Sequence, residues 1–120
     1  MNRTLFTINI ANFLLRLVAE GEHPVGESWW REDVEQHALW QLGRDSEGVV
    51  VDKSKVVTEC DGYKSLSNHQ SGRAVDIQFL NDEGTEVTDP KKGWTYWHNV
   101  WERDFQGKPI IPWDEDHFEA

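Results

Sequence analysis

The stretch Ser67-Asn68-His69-Gln70-Ser71-Gly72-Arg73-Ala74-Val75-Asp76-Ile77-Gln78-Phe79-Leu80 holds both the clearest strand pattern in the chain and two of its most chemically loaded side chains. From Arg73 to Leu80, Val75, Ile77 and Phe79 alternate with Ala74, Asp76 and Gln78. That period of two buries one face of a strand and turns the other outward. Asp76 therefore projects away from the core, into whatever site the sheet presents. His69 precedes it by seven residues, an odd separation that would set the two on opposite faces of an uninterrupted strand. A turn or bulge at Gly72 can swing His69 back to the side of Asp76, because glycine tolerates the backbone conformations such a reversal needs.

Outward from this strand the chain alternates helical and extended pieces. Thr7 to Glu20 carries Ile8, Phe13, Leu14, Leu17 and Val18 at helical spacing, with Thr7 as cap and Gly21 as stop. A second helix is predicted over Arg31 to Leu42, where Val34, His37, Ala38, Gln41 and Leu42 share a face and Gly43 ends the run. His37 reads as a packed or half-exposed helical histidine, since nothing near it in sequence offers a ligand partner. After the turn cluster Asp45 to Gly48, Val49 to Val51 and Lys55 to Glu59 are strand-like. Asn81 to Lys92 is polar and reads as a surface connection. Trp94, Trp97 and Trp101, at i, i+3 and i+7, mark the core face of a late helix over Trp94 to Asp104. An extended segment then leads through Pro112 and Trp113 to an acidic end. The predicted fold class is α+β: N-terminal helices packed on a small antiparallel sheet that carries the site, with a late Trp-rich helix.

The 120 residues match one globular domain, expected over 1–120, and no internal repeat or linker suggests an appended binding domain. Twenty-two acidic against twelve basic residues give a net charge of −10, which disfavours nucleic acid and anionic membranes as partners. A monomer is expected. Cys60 is the only cysteine, so no internal disulfide forms, and it reads as a buried thiol. Leu5 to Val18 is interrupted by polar residues, too short to span a bilayer and without a cleavage pattern, so no export signal is read. Without one, the glycosylation-like triplet Asn2-Arg3-Thr4 is taken as chance.

A second chemically loaded segment closes the chain: Pro112-Trp113-Asp114-Glu115-Asp116-His117-Phe118-Glu119. Two histidines and a carboxylate make a three-ligand set that leaves the fourth zinc position open to water, the arrangement of a catalytic site, with Asp114 placed to act on that water. A histidine near an aspartate is more often a solvated pair, and an acidic run can be a solvated end. Hydrolysis by Ser67, His69 and Asp76 as a triad lacks the nucleophile-elbow pattern it would need.

Ser67 to Asp76 fits S-x-H-x-x-G-x-A-x-D, and Asp114 to Glu119 fits D-x-x-H-F-E. Together they resemble the zinc peptidases of the D-alanyl-D-alanine peptidase superfamily, which cleave peptidoglycan peptides, and within it the L-alanyl-D-glutamate peptidases of phage endolysins. Trp40-Gln41-Leu42-Gly43-Arg44, Val56-Val57-Thr58 and Gly62 recur in the expected order, so the resemblance runs from about Trp40 to Glu119. It implies one Zn²⁺ held by His69, Asp76 and His117, with Asp114 as general base. It also implies that Arg44 holds the substrate carbonyl or developing oxyanion, that Ser67 hydrogen-bonds near the substrate or metal shell, and that Gln41 is a substrate contact. The residue three before the last ligand is aspartate here, as in the L-alanyl-D-glutamate group; the D-alanyl-D-alanine dipeptidases and carboxypeptidases have glutamate.

The implied reaction is hydrolysis of the L-Ala–D-Glu bond of the peptidoglycan stem peptide. The alternatives are D-Ala-D-Ala carboxypeptidase or dipeptidase activity on the same fold, and a noncatalytic binding module. The resemblance further implies synthesis in the host cytoplasm and action at the cell wall after phage-mediated release. The net negative charge should hinder approach to an anionic wall, so activity is expected to rise with moderate salt.

Overall fold

Alternating apolar and polar residues along Ala74–Leu80 do form a strand, and the rest of the molecule is arranged around it. The structure is a computed structural model describing residues 1–120. In chain order its elements are α1 (Arg3–Ala19), β1 (Pro24–Ser28), α2 (Asp33–Gln41), a single 3-10 turn (Lys53–Lys55), β2 (Ala74–Leu80), β3 (Val87–Thr88), α3 (Trp94–Phe105) and β4 (His117–Glu119). The architecture is α+β, with a four-stranded antiparallel sheet and a late Trp-rich helix. No helix is long and apolar enough to cross a membrane.

β2 is the central strand, and all three others pair with it antiparallel. Asp76 has Ser28 of β1 on one side and His117 of β4 on the other; Phe79 likewise lies between Pro24 and Thr88. One edge of β2 is therefore occupied by β1, and the other by β3 and β4 at its two ends. Ala74, Val75, Ile77 and Phe79 are buried, whereas Asp76 and Gln78 are half-buried on the opposite face.

Phe6, Ile10, Phe13 and Leu17 of α1 and Trp97, Val100 and Trp101 of α3 close over the core face of the sheet. Phe13 is at the middle, its ring 5.3 Å from those of both Trp101 and Phe118. The ring of Trp94 packs edge-on to Phe79 and is half-buried, at the margin of this cluster.

Several expectations need correction. α1 begins at Arg3 because Asn2, not Thr7, is the cap: Asn2 Oδ1 accepts from the Leu5 N–H at 2.8 Å. The buried stripe is accordingly Phe6, Ile10, Phe13 and Leu17, and Ile8 and Val18 are exposed. In α2 the buried residue is Gln36, while Val34 and Leu42 face solvent. Gln36 donates to Thr58 Oγ1 and to the Cys60 carbonyl and accepts from Arg31, so a polar network holds this helix to the loop after it. Neither Val49–Val51 nor Lys55–Glu59 forms a strand; an isolated bridge from Arg44 to Val50 is all that pairs there. Both edges of β2 are already taken, and exposed Val49, Val50, Val51 and Val57 have no sheet to join. Cys60 is half-buried, not fully buried. β1 carries only a weak apolar alternation, and no strand is predicted there from sequence.

Candidate metal centre

His69 is delivered by the turn that leads into β2. The Gly72 N–H donates to the His69 carbonyl, and the Arg73 N–H to that of Asn68. Gly72 has φ +69°, in the left-handed region where a side chain is strained, so the sharp reversal relies on glycine. The imidazole thereby comes back over the same face as Asp76. Two backbone bonds from the segment after β1 fix it further: the Arg31 N–H donates to the His69 carbonyl, and His69 Nδ1 lies 3.0 Å from the Trp29 carbonyl. A carbonyl only accepts, so Nδ1 carries the proton and Nε2 is the nitrogen turned to Asp76, 3.4 Å from Oδ1.

Strand register delivers the other two groups. His117 is the direct cross-strand partner of Asp76, while Phe118 between His117 and Glu119 points into the core opposite Val75. Directly opposed residues share a face and lie close enough to interact. His117 Nδ1 is 3.3 Å from Asp76 Oδ1, and its other nitrogen, Nε2, is 3.0 Å from Glu119 Oε2. One nitrogen each from His69 and His117 and one Asp76 oxygen lie within 4.8 Å of one another.

The electrostatics are those of three groups competing for protons. Burial works against the charge on His117, but the carboxylates of Asp76 and Glu119 outweigh it and raise the ring to about 9. Burial works against ionised Asp76 too, and is outweighed by its hydrogen bonds to His117 and His69, so Asp76 stays below the usual carboxylate range. Burial, reinforced by the neighbouring Asp114 and Asp76 carboxyls, pushes Asp116 up to about 6.

Two imidazoles and a carboxylate on one point suit a divalent first-row metal. Each histidine also gives its outer N–H to an acceptor, the Trp29 carbonyl for His69 and the Glu119 carboxylate for His117, as ligating histidines commonly do. The donor chemistry thus fits a metal ion.

Asp114 lies beside this cluster, with Oδ2 3.9 Å from His117 Nδ1 and its side chain half exposed. It also lines a groove of about 570 Å³ between β3 and the segment Trp113 to Asp116 that leads into β4, together with Gln78, Thr88, Asp89 and Trp113. Trp113, at the rim, is 87% exposed. Glu115 and Asp116 line the same groove.

The remaining sequence-predicted site residues do not contact the cluster. The Arg44 side chain is only 3% exposed; its guanidinium donates to the carbonyls of Trp40 and Thr58, pairs with Glu59 and lies over the Trp40 ring. It ties α2 to the following loop. Ser67 accepts from the Gln70 N–H and shapes the turn that carries His69. Gln41 is exposed at the end of α2. His37 is half-buried as expected, its Nδ1 2.8 Å from the Asp61 carbonyl and its ring against Trp40 and Tyr63.

Sequence reasoning overlooked Trp29, Asn68 and Glu119. For Glu119 a signal was present: residues two apart on a strand share a face, so a strand through His117 sets Glu119 beside it. The chain matches no protein-family model, and no curated protein matches it.

Proposed function

We propose that the protein is a zinc-dependent peptidoglycan hydrolase that cuts the L-Ala–D-Glu bond of the stem peptide. One observation carries this reading: His69, Asp76 and His117, the three residues that the motif resemblance names as ligands, converge within 4.8 Å. His117 stands 41 residues beyond Asp76 in the chain, so its approach to the His69–Asp76 pair is made by the fold and not by local sequence.

His69 through Nε2, Asp76 through a carboxylate oxygen and His117 through Nδ1 would hold the ion. Zinc so held supplies Lewis acidity, polarising the scissile carbonyl and easing deprotonation of water. Asp114 takes the proton of the attacking water on a carboxylate oxygen and returns it to the leaving amine as the C–N bond breaks, so the residue ends each cycle ionised. The groove beside Asp114 takes the peptide, with Trp113 as an apolar wall at its rim. Arg44, engaged with two backbone carbonyls and Glu59, supports the Trp40–Thr58 region.

Elemental analysis of the purified protein should give about one zinc per chain, lost in His69→Ala and in His117→Ala. Incubation with purified peptidoglycan should expose new D-glutamate amines, read by mass spectrometry of the digested muropeptides. Release of terminal D-alanine instead would move the activity to the carboxypeptidase branch. Intact stem peptides with zinc bound would exclude both.

A further inference from the structure

We propose that Glu119 is a positioning residue that locks His117 with its proton on Nε2, so that Nδ1 is the nitrogen offered to the metal, and that Asn68 holds Glu119 in place. The inference rests on the zinc reading above and concerns two residues that are not themselves ligands.

Three observations carry it. First, Glu119 Oε2 lies 3.0 Å from His117 Nε2, on the side of the ring away from Asp76, so it cannot share the same nitrogen as the cluster. Second, the same oxygen accepts from Asn68 Nδ2 at 2.5 Å. Asn68 immediately precedes His69, so one carboxylate links the two segments that bring the histidines together. Third, the backbone of Glu119 is itself fixed: its carbonyl accepts from the Trp101 indole N–H at 2.9 Å and from the Lys108 N–H at 3.1 Å. The side chain is only 18% exposed, which limits competition from water.

The chemistry follows from what an ionised carboxylate can do. It accepts only, so the nitrogen facing it must keep a proton, and the other nitrogen is left to give up its own to a metal. Orientation of the ring is set at the same time, because the Nε2–H hydrogen bond and the Nδ1 lone pair both point outward in the plane of one rigid ring. His69 is treated in the same way by the Trp29 carbonyl, but with the opposite nitrogen, Nδ1, protonated. The two histidines therefore present different nitrogens to the shared point, Nε2 from His69 and Nδ1 from His117.

The test compares wild type, Glu119→Gln and Glu119→Ala by zinc affinity, measured in competition with a chromophoric chelator, and adds long-range ¹H–¹⁵N spectra of the imidazoles in the zinc-loaded wild type. Glu119→Ala should bind zinc about 10–100-fold more weakly. Glu119→Gln keeps an oxygen acceptor for Nε2–H and should recover most of that loss, whereas a residue needed only for folding would give no such ordering of affinities in protein of unchanged circular dichroism. The wild-type spectra should show His117 protonated at Nε2 and His69 protonated at Nδ1. Zinc on Nε2 of His117, or an Ala variant that binds as tightly as wild type, would overturn the inference and leave the zinc site intact. Wild-type protein that takes up no zinc would overturn the zinc reading and this inference with it.

Discussion

His117 and Asp76 face each other directly across the β2–β4 ladder, with Nδ1 3.3 Å from Oδ1, close enough for a charged hydrogen bond when the ring is protonated. The proton that makes the bond occupies the nitrogen a metal would need. His117, raised to about 9 despite burial, contributes stability that is complete below the ordinary imidazole value of about 6.5 and is lost as pH rises through about 9. Zinc must displace that proton, so its affinity should rise with pH up to about 9 and level off above. The metal-free Tm is therefore expected to fall between pH 6.5 and 9 while the increase in Tm on adding zinc grows. Calorimetry in buffers of different ionisation enthalpy should show about one proton released per ion near pH 7. A pH-independent affinity over this range would contradict the assignment of His117 as a ligand.

The Asp114 side chain is half exposed, whereas those of His69, Asp76 and His117 are largely buried, which separates its role from that of the ligands. Asp114→Asn should leave stability within about 0.5 kcal/mol of wild type and zinc content unchanged, yet slow peptide cleavage by about 10²–10⁴-fold. Equal activity in the variant would move the base to Asp116 or Glu115, which line the same groove.

Strong periodicity was what made parts of this fold readable in advance. The alternation in β2 buries Val75, Ile77 and Phe79, and Trp97 and Trp101 of α3 are buried as their spacing predicts, whereas Trp94 reaches only the margin of the core. Where an element's partners lie far away in sequence, pattern misleads. β1 has a register shift between Gly26 and Ser28 and few apolar residues, and it exists because β2 has an open edge. The valines at 49–51 look like a strand but find both edges of β2 filled. The triad was legible because its motif spacing is distinctive and Gly72 explained how His69 returns. The Trp29 carbonyl was not, since a backbone acceptor leaves no trace in residue type. Arg44 shows the converse limit: a motif position suggests an oxyanion contact, while the side chain is spent on the loop beside it.

Glu22 is a buried carboxylate with a purely architectural set of partners. It accepts from the backbone N–H groups of Lys91 and Lys92 and from the Trp97 indole, and so fastens the start of α3 to the end of α1. Glu22→Gln replaces one acceptor oxygen with a donor that faces other donors, and should cost about 1.5–3 kcal/mol in urea unfolding. Zinc affinity should be unaffected, because none of these groups touches the cluster. A neutral substitution would mean that water satisfies the three donors instead.

Gly107 tests whether the core and the metal centre are mechanically joined. A Cβ at this position would overlap the indole of Trp101, a fully buried ring that cannot turn away without disturbing Phe6, Phe13 and Phe118. The same indole donates to the Glu119 carbonyl, and Glu119 is two residues along β4 from His117. Gly107→Ala should therefore cost about 1–3 kcal/mol through overpacking. It should also weaken zinc binding, because displacing Trp101 pulls on the strand that presents His117. Phe118→Leu, which loosens the same core while leaving the Trp101–Glu119 hydrogen bond in place, serves as the control, with a comparable stability loss and a smaller effect on affinity. If both variants lose stability and bind zinc equally well, β4 is positioned by its ladder with β2 alone.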